Sequence, residues 1–432
     1  MNVKEVYIGL VRWSFLFAMT LCSLIPLRAE GGEDFSVAKV KRLSDQGSTR
    51  ATRYATANKI VTLGSRTHIA WLDSISRTMV ATYDRESESW SKPVHIGDGE
   101  DNHGGPALTC DSDGFLHVVF GPHAGEPFQH CRSVKPNDSS EWKQLPRFGV
   151  HPTYPSVVCD PDDTLHVIYR GGPQRRHPFG LMYQRKPSGG TWSEPVALAK
   201  CPDDWKGYTH YHSSLTVSRS GVLHIGFNLY YDGRAKLAGH LMSVDRGDSW
   251  QVAGGKPVTL PIGSESPAFF LRSDTPLKVV NAVCDKASNP WIAVGRASGM
   301  TIYRFDGDQW DSFNVADRVP SGKQPASMHW GTLSIDSNDR LFLIAIRGQG
   351  MVGGVKGDVV LFTSDDQGKR FDSLHLFPGD SKLPHTGASL ERFTGHHSID
   401  TPWGLFSTGE KGPDCFGRGI HHRVYAAQLR QK

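Results

Sequence analysis

The chain has 432 residues and a formal net charge of +4, with 21% charged and 10% aromatic residues, 46 glycines and 26 prolines. This composition is too apolar and aromatic for a disordered polymer and too often interrupted by Gly and Pro for long helices, and the near balance of charge excludes a nucleic-acid-binding surface. An all-β architecture remains.

At the start of the chain, Lys4 and Arg12 precede an apolar run over residues 13–27. The run is too short to span a bilayer comfortably and stands where a secretory leader would, with cleavage expected near Ala29. Its loss would remove Lys4, Arg12, Arg28 and Glu5, lowering the formal charge by two. No second apolar stretch of spanning length follows. The expectation is a leader over 1–29 and a single domain over 30–432 that is secreted or periplasmic, makes no membrane contact after cleavage, binds no nucleic acid and is a monomer. Six cysteines remain (Cys110, Cys131, Cys159, Cys201, Cys284 and Cys415), too few for a disulfide scaffold in a domain of this size.

Further along, a turn containing Asp, Asn, Ser or Gly recurs, followed each time by an alternating apolar strand with a His or aromatic residue near its start. His68, His117, His166, His224, Trp291, Phe342 and the weaker Leu405 mark its occurrences, spaced by 49, 49, 58, 67, 51 and 63 residues. That is the length of a β-propeller blade with variable loops. A second series, Trp90, Trp142, Trp192, Trp250, Trp310 and Phe371, interleaves with the first. Two segments, Ser243-Val-Asp245-Arg-Gly247-Asp-Ser-Trp250 and Ser364-Asp-Asp366-Gln-Gly368-Lys-Arg-Phe371, resemble the Asp-box turn of sialidase-type propellers, a folding device. Residues 422–429 alternate like a strand that could pair with N-terminal sequence and close a ring. The predicted fold is an all-β, seven-bladed β-propeller in a single domain.

Repetition separates scaffold from chemistry. His68, His117, His166 and His224 recur at one place in their units and belong to the scaffold. In an antiparallel hairpin, the residue entering the first strand and the one leaving the second lie at the same end. Three consecutive units thereby set segments 101–106 with 120–123, 153–155 with 169–171, and 208–212 with 228–231 around one mouth. The mouth collects His103, His123, Tyr154, Arg170, Tyr208, Tyr211 and His212, which are proton carriers with one fixed cation.

No carboxylate pair of the kind glycosidases use stands there, although Asp101 is close. The Phe/Tyr-Arg-Ile-Pro motif of sialidases is absent. β-Elimination on a uronic acid needs other parts: a cation on the carboxylate, a base at C5 and an acid near the O4 leaving group. One Arg with His and Tyr supplies them.

The runs Asp101-Asn-His103-Gly-Gly-Pro-Ala-Leu108, Gly114-Phe-Leu-His-Val-Val-Phe-Gly-Pro-His123, Tyr154-Pro155 and Leu165-His-Val-Ile-Tyr-Arg170 resemble the seven-bladed propeller polysaccharide lyases that cleave ulvan, a group within the BNR-repeat proteins. The likeness is densest over 99–232. It implies a lyase acting on a uronate-containing, sulfated polysaccharide. In that reading Arg170 neutralises the uronate, His103 is the base at C5 and Tyr154 the acid toward O4, with the last two roles open to exchange. His123, Tyr208, Tyr211 and His212 would bind substrate; Tyr211 is the chosen further tyrosine, and Tyr208 or His212 fits the same place. The resemblance also implies a structural metal ion, zinc or calcium, and no cofactor for catalysis. Candidate ligands are Cys284, Cys415, His421 and His422, or the Asp203-Asp204 pair for calcium, although the spacing matches no compact zinc signature. Arg296, Arg347, Arg392, His329 and Trp330 in later units could extend a groove for an anionic chain. A sialidase-like hydrolase and a non-catalytic carbohydrate-binding propeller are the competing readings.

Overall fold

A carboxylate at the start of the recurring turn organises hairpin after hairpin in the computed structural model, which describes residues 35–202, 204–231, 234–296, 299–320, 328–351, 354–377, 383–410 and 419–432. Oδ1 of Asp111, Asp160, Asp285 and Asp336 accepts the backbone N–H of the residue four positions on (Phe115, Thr164, Asn289 and Arg340) at 2.8–2.9 Å. Oδ2 then takes a side chain of the outgoing strand: His117 at 3.2 Å, His166 at 3.1 Å and the Trp291 indole at 3.2 Å. Ser218 replaces the carboxylate in one unit, its Oγ accepting from Val222 N–H at 3.0 Å. His68 is held by Thr82 and Asn137, and His224 by His240. All four recurring histidines are buried structural groups, as their repetition predicts.

The hairpins build successive antiparallel sheets. Four have four strands each: Ala107–Cys110 through Trp142–Phe148, Thr153–Cys159 through Val196–Ala199, His210–Val217 through Leu271–Arg272, and Leu277–Cys284 through Trp310–Asn314. The other thirteen strands form one sheet, which is joined at two places by single residue pairs, Gly47 with Asp73 and Val355 with His385. Phe35–Gly47 runs antiparallel to the last strand, His422–Gln431, from Phe35 opposite Gln431 to Gly47 opposite His422. Both ends of the described chain therefore share one sheet, the pairing expected of residues 422–429. One turn of 3-10 helix, Val315–Arg318, is the helical element among the described residues. None of the helices described is long and apolar enough to cross a membrane.

Both faces of the inner strands pack against neighbouring sheets, so strands such as Leu116–Phe120 and Leu165–Gly171 are buried throughout. Each large apolar side chain buried this way contributes about 1.5–3 kcal/mol. The two Asp-box turns also form. Gly247 and Gly368 N–H donate to Ser243 and Ser364 Oγ at 2.7 and 2.9 Å, and Asp245 and Asp366 accept from Ser249 and Arg370 N–H at 2.9 and 3.0 Å.

The segment at and after the end of His385–Leu390 fastens four sheets together. Leu390 N–H donates to Thr332 Oγ1 and Ser334 Oγ to the Glu391 carbonyl, both at 2.6 Å. The Glu391 carboxylate accepts from Thr62 N–H and Oγ1. Arg392 donates to Ser214 Oγ and the Thr56 carbonyl, both at 2.8 Å. The Thr394 carbonyl accepts from Cys159 N–H and Thr109 Oγ1. Arg392 is thus an interior fastener and no part of a substrate groove. Arg347 pairs with Asp358 at 2.9 Å, and Arg296 donates to Tyr303 at 3.1 Å. The expected leader, Asp203, Cys415 and the side chains of His329 and Trp330 lie outside the described residues.

Candidate active site

Two loops meet because both carry glycine where they touch. Gly121 N–H donates to the Gly104 carbonyl at 3.2 Å, and Glu100 N–H to the Gly121 carbonyl at 2.8 Å. A Cβ on Gly104 would stand 2.5 Å from Gly121 O, so a larger residue would push the loops apart. Their approach gathers Asp101, His103 and His123. Asp101 Oδ1 accepts from His103 through its backbone N–H at 2.7 Å and its Nδ1 at 2.8 Å. Oδ2 accepts from His123 Nδ1 at 2.7 Å. The two imidazoles stack at 3.8 Å between centroids and 19° between planes.

Burial works to raise the Asp101 carboxyl, but the hydrogen bonds from His103 and His123 outweigh it and hold the group below its usual range. Burial lowers His103 to about 4 against the pull of Asp101. Near neutral pH, His103 is therefore an uncharged imidazole whose Nδ1 proton points at a carboxylate. That leaves Nε2 as the proton acceptor.

The next sheet supplies a phenol and a guanidinium. Thr153 lies opposite Arg170 across the strand pair, and the register slips between Thr153 and Ser156. Tyr154 sits in this irregularity at φ +59°, a left-handed conformation costly for an aromatic residue and typical of re-aimed side chains at functional sites. Its ring centroid lies 6.1 Å from that of His103 and 5.8 Å from that of His212. The Arg170 guanidinium carbon stands 4.9 Å from the Tyr154 ring centroid and 4.6 Å from that of Phe179. Arg170 is 2% exposed. Its Nη2 donates to Thr153 Oγ1 at 3.0 Å, Nε has no hydrogen-bond partner, and no carboxylate pairs with it among the described residues. Burial raises the Tyr154 phenol well above its ordinary value, with Tyr54 adding to the effect, so it stays protonated.

The third sheet corrects one expectation. On His210–Val217, Tyr211 shares its face with Leu215 and Val217, and all three belong to a packed core. Tyr211 has 0% exposure and is not a substrate-binding tyrosine; the alternation of the strand puts His212 on the site instead. Tyr208 is 48% exposed, with its ring 4.3 Å from that of His177 at the outer edge. Burial, then Arg170, lowers His177 to about 4. The structure therefore brings together His103, His123, Tyr154, Arg170 and His212, with Tyr208 at the margin and Tyr211 excluded.

Sequence reasoning gave no role to Tyr54 or Arg50. The Tyr54 ring lies 4.6 Å from that of Tyr154, and Arg50 Nη1 donates to the Tyr54 hydroxyl at 2.6 Å. The entering-segment rule, applied to the first unit as well, would have pointed to them.

Of the expected metal ligands among the described residues, Cys284, His421 and His422 each have another hydrogen-bond partner. His422 is held by Ser407 and the Glu410 carbonyl, His421 by Ser74, and the Cys284 thiol by the Val217 carbonyl. Cys159, Asp163 and His396 instead bring three ligand atoms within 4.8 Å of one another. A thiol, an imidazole and a carboxylate form a donor set suited to zinc. Asp101, His103 and His123 are equally close; their Nδ1 atoms are engaged by the carboxylate, as His396 Nε2 is by the Asp160 carbonyl, but they offer no thiol.

The model of a BNR repeat-containing family matches residues 66–318, and the chain belongs to that family. Among individual proteins, it is similar to an ulvan lyase of Nonlabens ulvanivorans, 24% identical over 370 residues that cover 71% of this chain and 77% of that protein. It is also similar to an ulvan lyase of Alteromonas sp. (strain LOR), 22% identical over 281 residues that cover 55% of this chain and 56% of that one. A solved structure of a PL25 polysaccharide lyase, an ulvan lyase bound to the repeat GlcA(1-4)Rha3S, superposes with a TM-score of 0.69 and 17% identity, covering 90% of this chain and 97% of that one. The all-β architecture is shared.

Proposed function

We propose that this chain is a polysaccharide lyase that cleaves a uronate-containing, sulfated polysaccharide of the ulvan type by β-elimination, leaving an unsaturated uronate end. The observation that carries this reading is the convergence of His103, Tyr154 and Arg170 from neighbouring sheets, with Asp101 fixing the imidazole. The ulvan lyases among its relatives support it.

The chemistry follows from the separation of proton affinities. His103 Nε2 takes the C5 proton, the electron pair of the broken C5–H bond forms the C4=C5 double bond, and the C4–O4 bond breaks. Tyr154, still protonated, gives its proton to O4. Arg170 stabilises the negative charge that develops on the uronate carboxylate as C5 loses its proton. His123 and His212 flank the reacting sugar, and Tyr208 meets the polymer at the outer edge. A hydrolase reading is disfavoured because the Asp101 carboxylate is already committed to two histidines and the neighbouring Glu100 carboxylate to the backbone N–H groups of His123 and Glu126.

The scaffold is read as a closed seven-bladed propeller. Dividing the thirteen-stranded sheet at its two single-pair joins yields three more units beside the four separate sheets, and the pairing of the first and last strands supports closure. Cys159, Asp163 and His396 would hold a structural zinc that ties the segment after His385–Leu390 to the sheet of Thr153–Cys159. Residues 1–29 are read as an export leader, and the mature protein as a secreted or periplasmic monomer.

The test is ultraviolet absorbance of the conjugated product on a panel of ulvan, heparan-type, chondroitin-type and alginate polymers. New absorbance on ulvan is expected; reducing ends without it would establish hydrolysis.

A further inference from the structure

Residues 48–58, ahead of Ile60–Leu63, form the part of the mouth contributed by the first unit. Tyr54 stands there at φ +63°, again in the left-handed region. The neighbouring loop leaves room for it: a Cβ on Gly105 would come 3.4 Å from Tyr54 Cδ2. The conformation is held from several directions. Lys59, buried, donates to the carbonyls of Tyr54 and Ala57 at 2.9 and 3.2 Å. Arg53 Nε donates to Thr386 Oγ1 at 2.9 Å. A strained aromatic residue persists only where its surroundings over-determine it, and such residues gather at ligand clamps.

Tyr54 in turn fixes a guanidinium. Arg50 Nη1 bonds its hydroxyl at 2.6 Å, so the Arg50 head stands beside the Tyr54–Tyr154 pair. The site therefore has two arginines in different settings. The Arg170 guanidinium lies against the Tyr154 and Phe179 rings, whereas Arg50 is partly exposed. The Arg53 guanidinium stands close enough to Arg50 for the two charges to act on one another, so that side of the mouth carries two guanidinium groups.

A sulfated uronate polymer presents two anions in alternation, a carboxylate on the sugar that loses its C5 proton and a sulfate ester on its neighbour. One arginine at the reacting carbon and another at the rim match this alternation. The geometry points to Arg50 as the residue that reads the sulfate of the adjoining sugar, with Tyr54 as its positioning partner. A planar guanidinium offers parallel N–H donors to two sulfate oxygens, which an ammonium cannot reproduce. This inference rests on the lyase reading.

The experiment compares kcat/KM on sulfated ulvan oligosaccharides and on the same material chemically desulfated, for wild type, Arg50→Gln, Arg50→Lys and Tyr54→Phe. Arg50→Gln should lower the sulfated-to-desulfated ratio by about 10-fold or more, mainly through KM, as expected for a lost hydrogen bond to a charged group. Arg50→Lys should recover part of the ratio. Tyr54→Phe, which keeps the ring and removes the hydroxyl that Arg50 bonds, should shift it the same way by less. A ratio unchanged in Arg50→Gln, or an equal loss on both substrates, overturns the proposal. Circular dichroism melts establish folding, and if Arg50→Gln does not fold, the other two variants decide. Should wild type give no unsaturated product from either material, the lyase reading fails; calorimetric binding of the two oligosaccharides to wild type and variants then tests Arg50 by the same ratio.

Discussion

His103 and His123 lie face to face at 3.8 Å and hydrogen-bond the same carboxylate through Nδ1. Asp101 thus sets the tautomer of both rings and turns both Nε2 atoms away from itself. Asparagine in its place keeps one acceptor oxygen but presents an N–H group to the other ring, which must then reverse its tautomer or lose the bond. Asp101→Asn should lower kcat/KM by about 10²-fold or more while the far-ultraviolet circular dichroism is unchanged, since the fault lies in proton placement. Product absorbance measures it, and a rate near that of wild type would remove Asp101 from the mechanism.

A base with its affinity at about 4 has a readable pH signature. The uncharged imidazole of His103 is the form that accepts a proton, so kcat/KM should hold level below neutrality and fall only as pH drops through about 4. An acid limb near 6.5, the ordinary histidine value, would assign the proton transfer to another group.

Scaffold and site histidines should separate when each is replaced. His117→Ala removes a ligand of the Asp111 turn and should lower the melting temperature, with turnover per folded molecule little changed. His103→Ala should reverse the pattern, abolishing turnover at a smaller thermal penalty. Paired calorimetry and rate measurements on the two variants decide, and equal effects on turnover would dissolve the distinction.

That distinction was readable without coordinates because the fold repeats: Asp111, Asp160 and Asp285 each hold the residue six positions on, so a histidine at that place announces itself as structural. The convergence of His103, Tyr154 and Arg170 was legible for the complementary reason, since they are reactive residue types at hairpin ends that do not recur in every unit. Tyr211 failed because side chains alternate across a strand, and a one-residue ambiguity in 208–212 exchanges core for mouth. Cys159, Asp163 and His396 gave no signal because over 230 residues separate the second from the third, and only the crossing segment near Thr394 unites them. Arg392 looked like a groove residue because its burial depends on the same crossing.

If Cys159, Asp163 and His396 hold zinc, the purified protein should contain about one equivalent, and a chelator should remove it and lower the melting temperature, because binding to the folded state alone stabilises it. Burial raises the Cys159 thiol, so the apo protein presents a thiol rather than a thiolate there, and zinc uptake should release a proton. Cys159→Ala should lose the metal and show no thermal response to chelator. Metal analysis and calorimetry test this together; a metal-free preparation with unaltered melting would refute it.

The Glu391 carboxyl is buried where the crossing segment meets Thr62, and burial pushes it up to about 7 despite hydrogen bonds from Thr62 and Trp403. In an unfolded chain it returns to about 4.5. Between those values the folded protein keeps a proton that the unfolded chain has released. The contribution of this group to stability is therefore full below pH 4.5 and is lost as pH rises through about 7; a difference of this size corresponds to about 3 kcal/mol. Buried histidines such as His68, whose affinity burial lowers to about 4, titrate in the opposite sense over the same range, so the overall curve hides the effect. The difference between wild type and Glu391→Gln exposes it, because glutamine has the same shape and no proton to lose. Wild type should lose ground to the variant as pH increases from 4.5 to 7, and calorimetric melts across that range should show the gap changing in that direction alone. A constant gap would mean that Glu391 is ionised throughout and that its hydrogen bonds outweigh its burial.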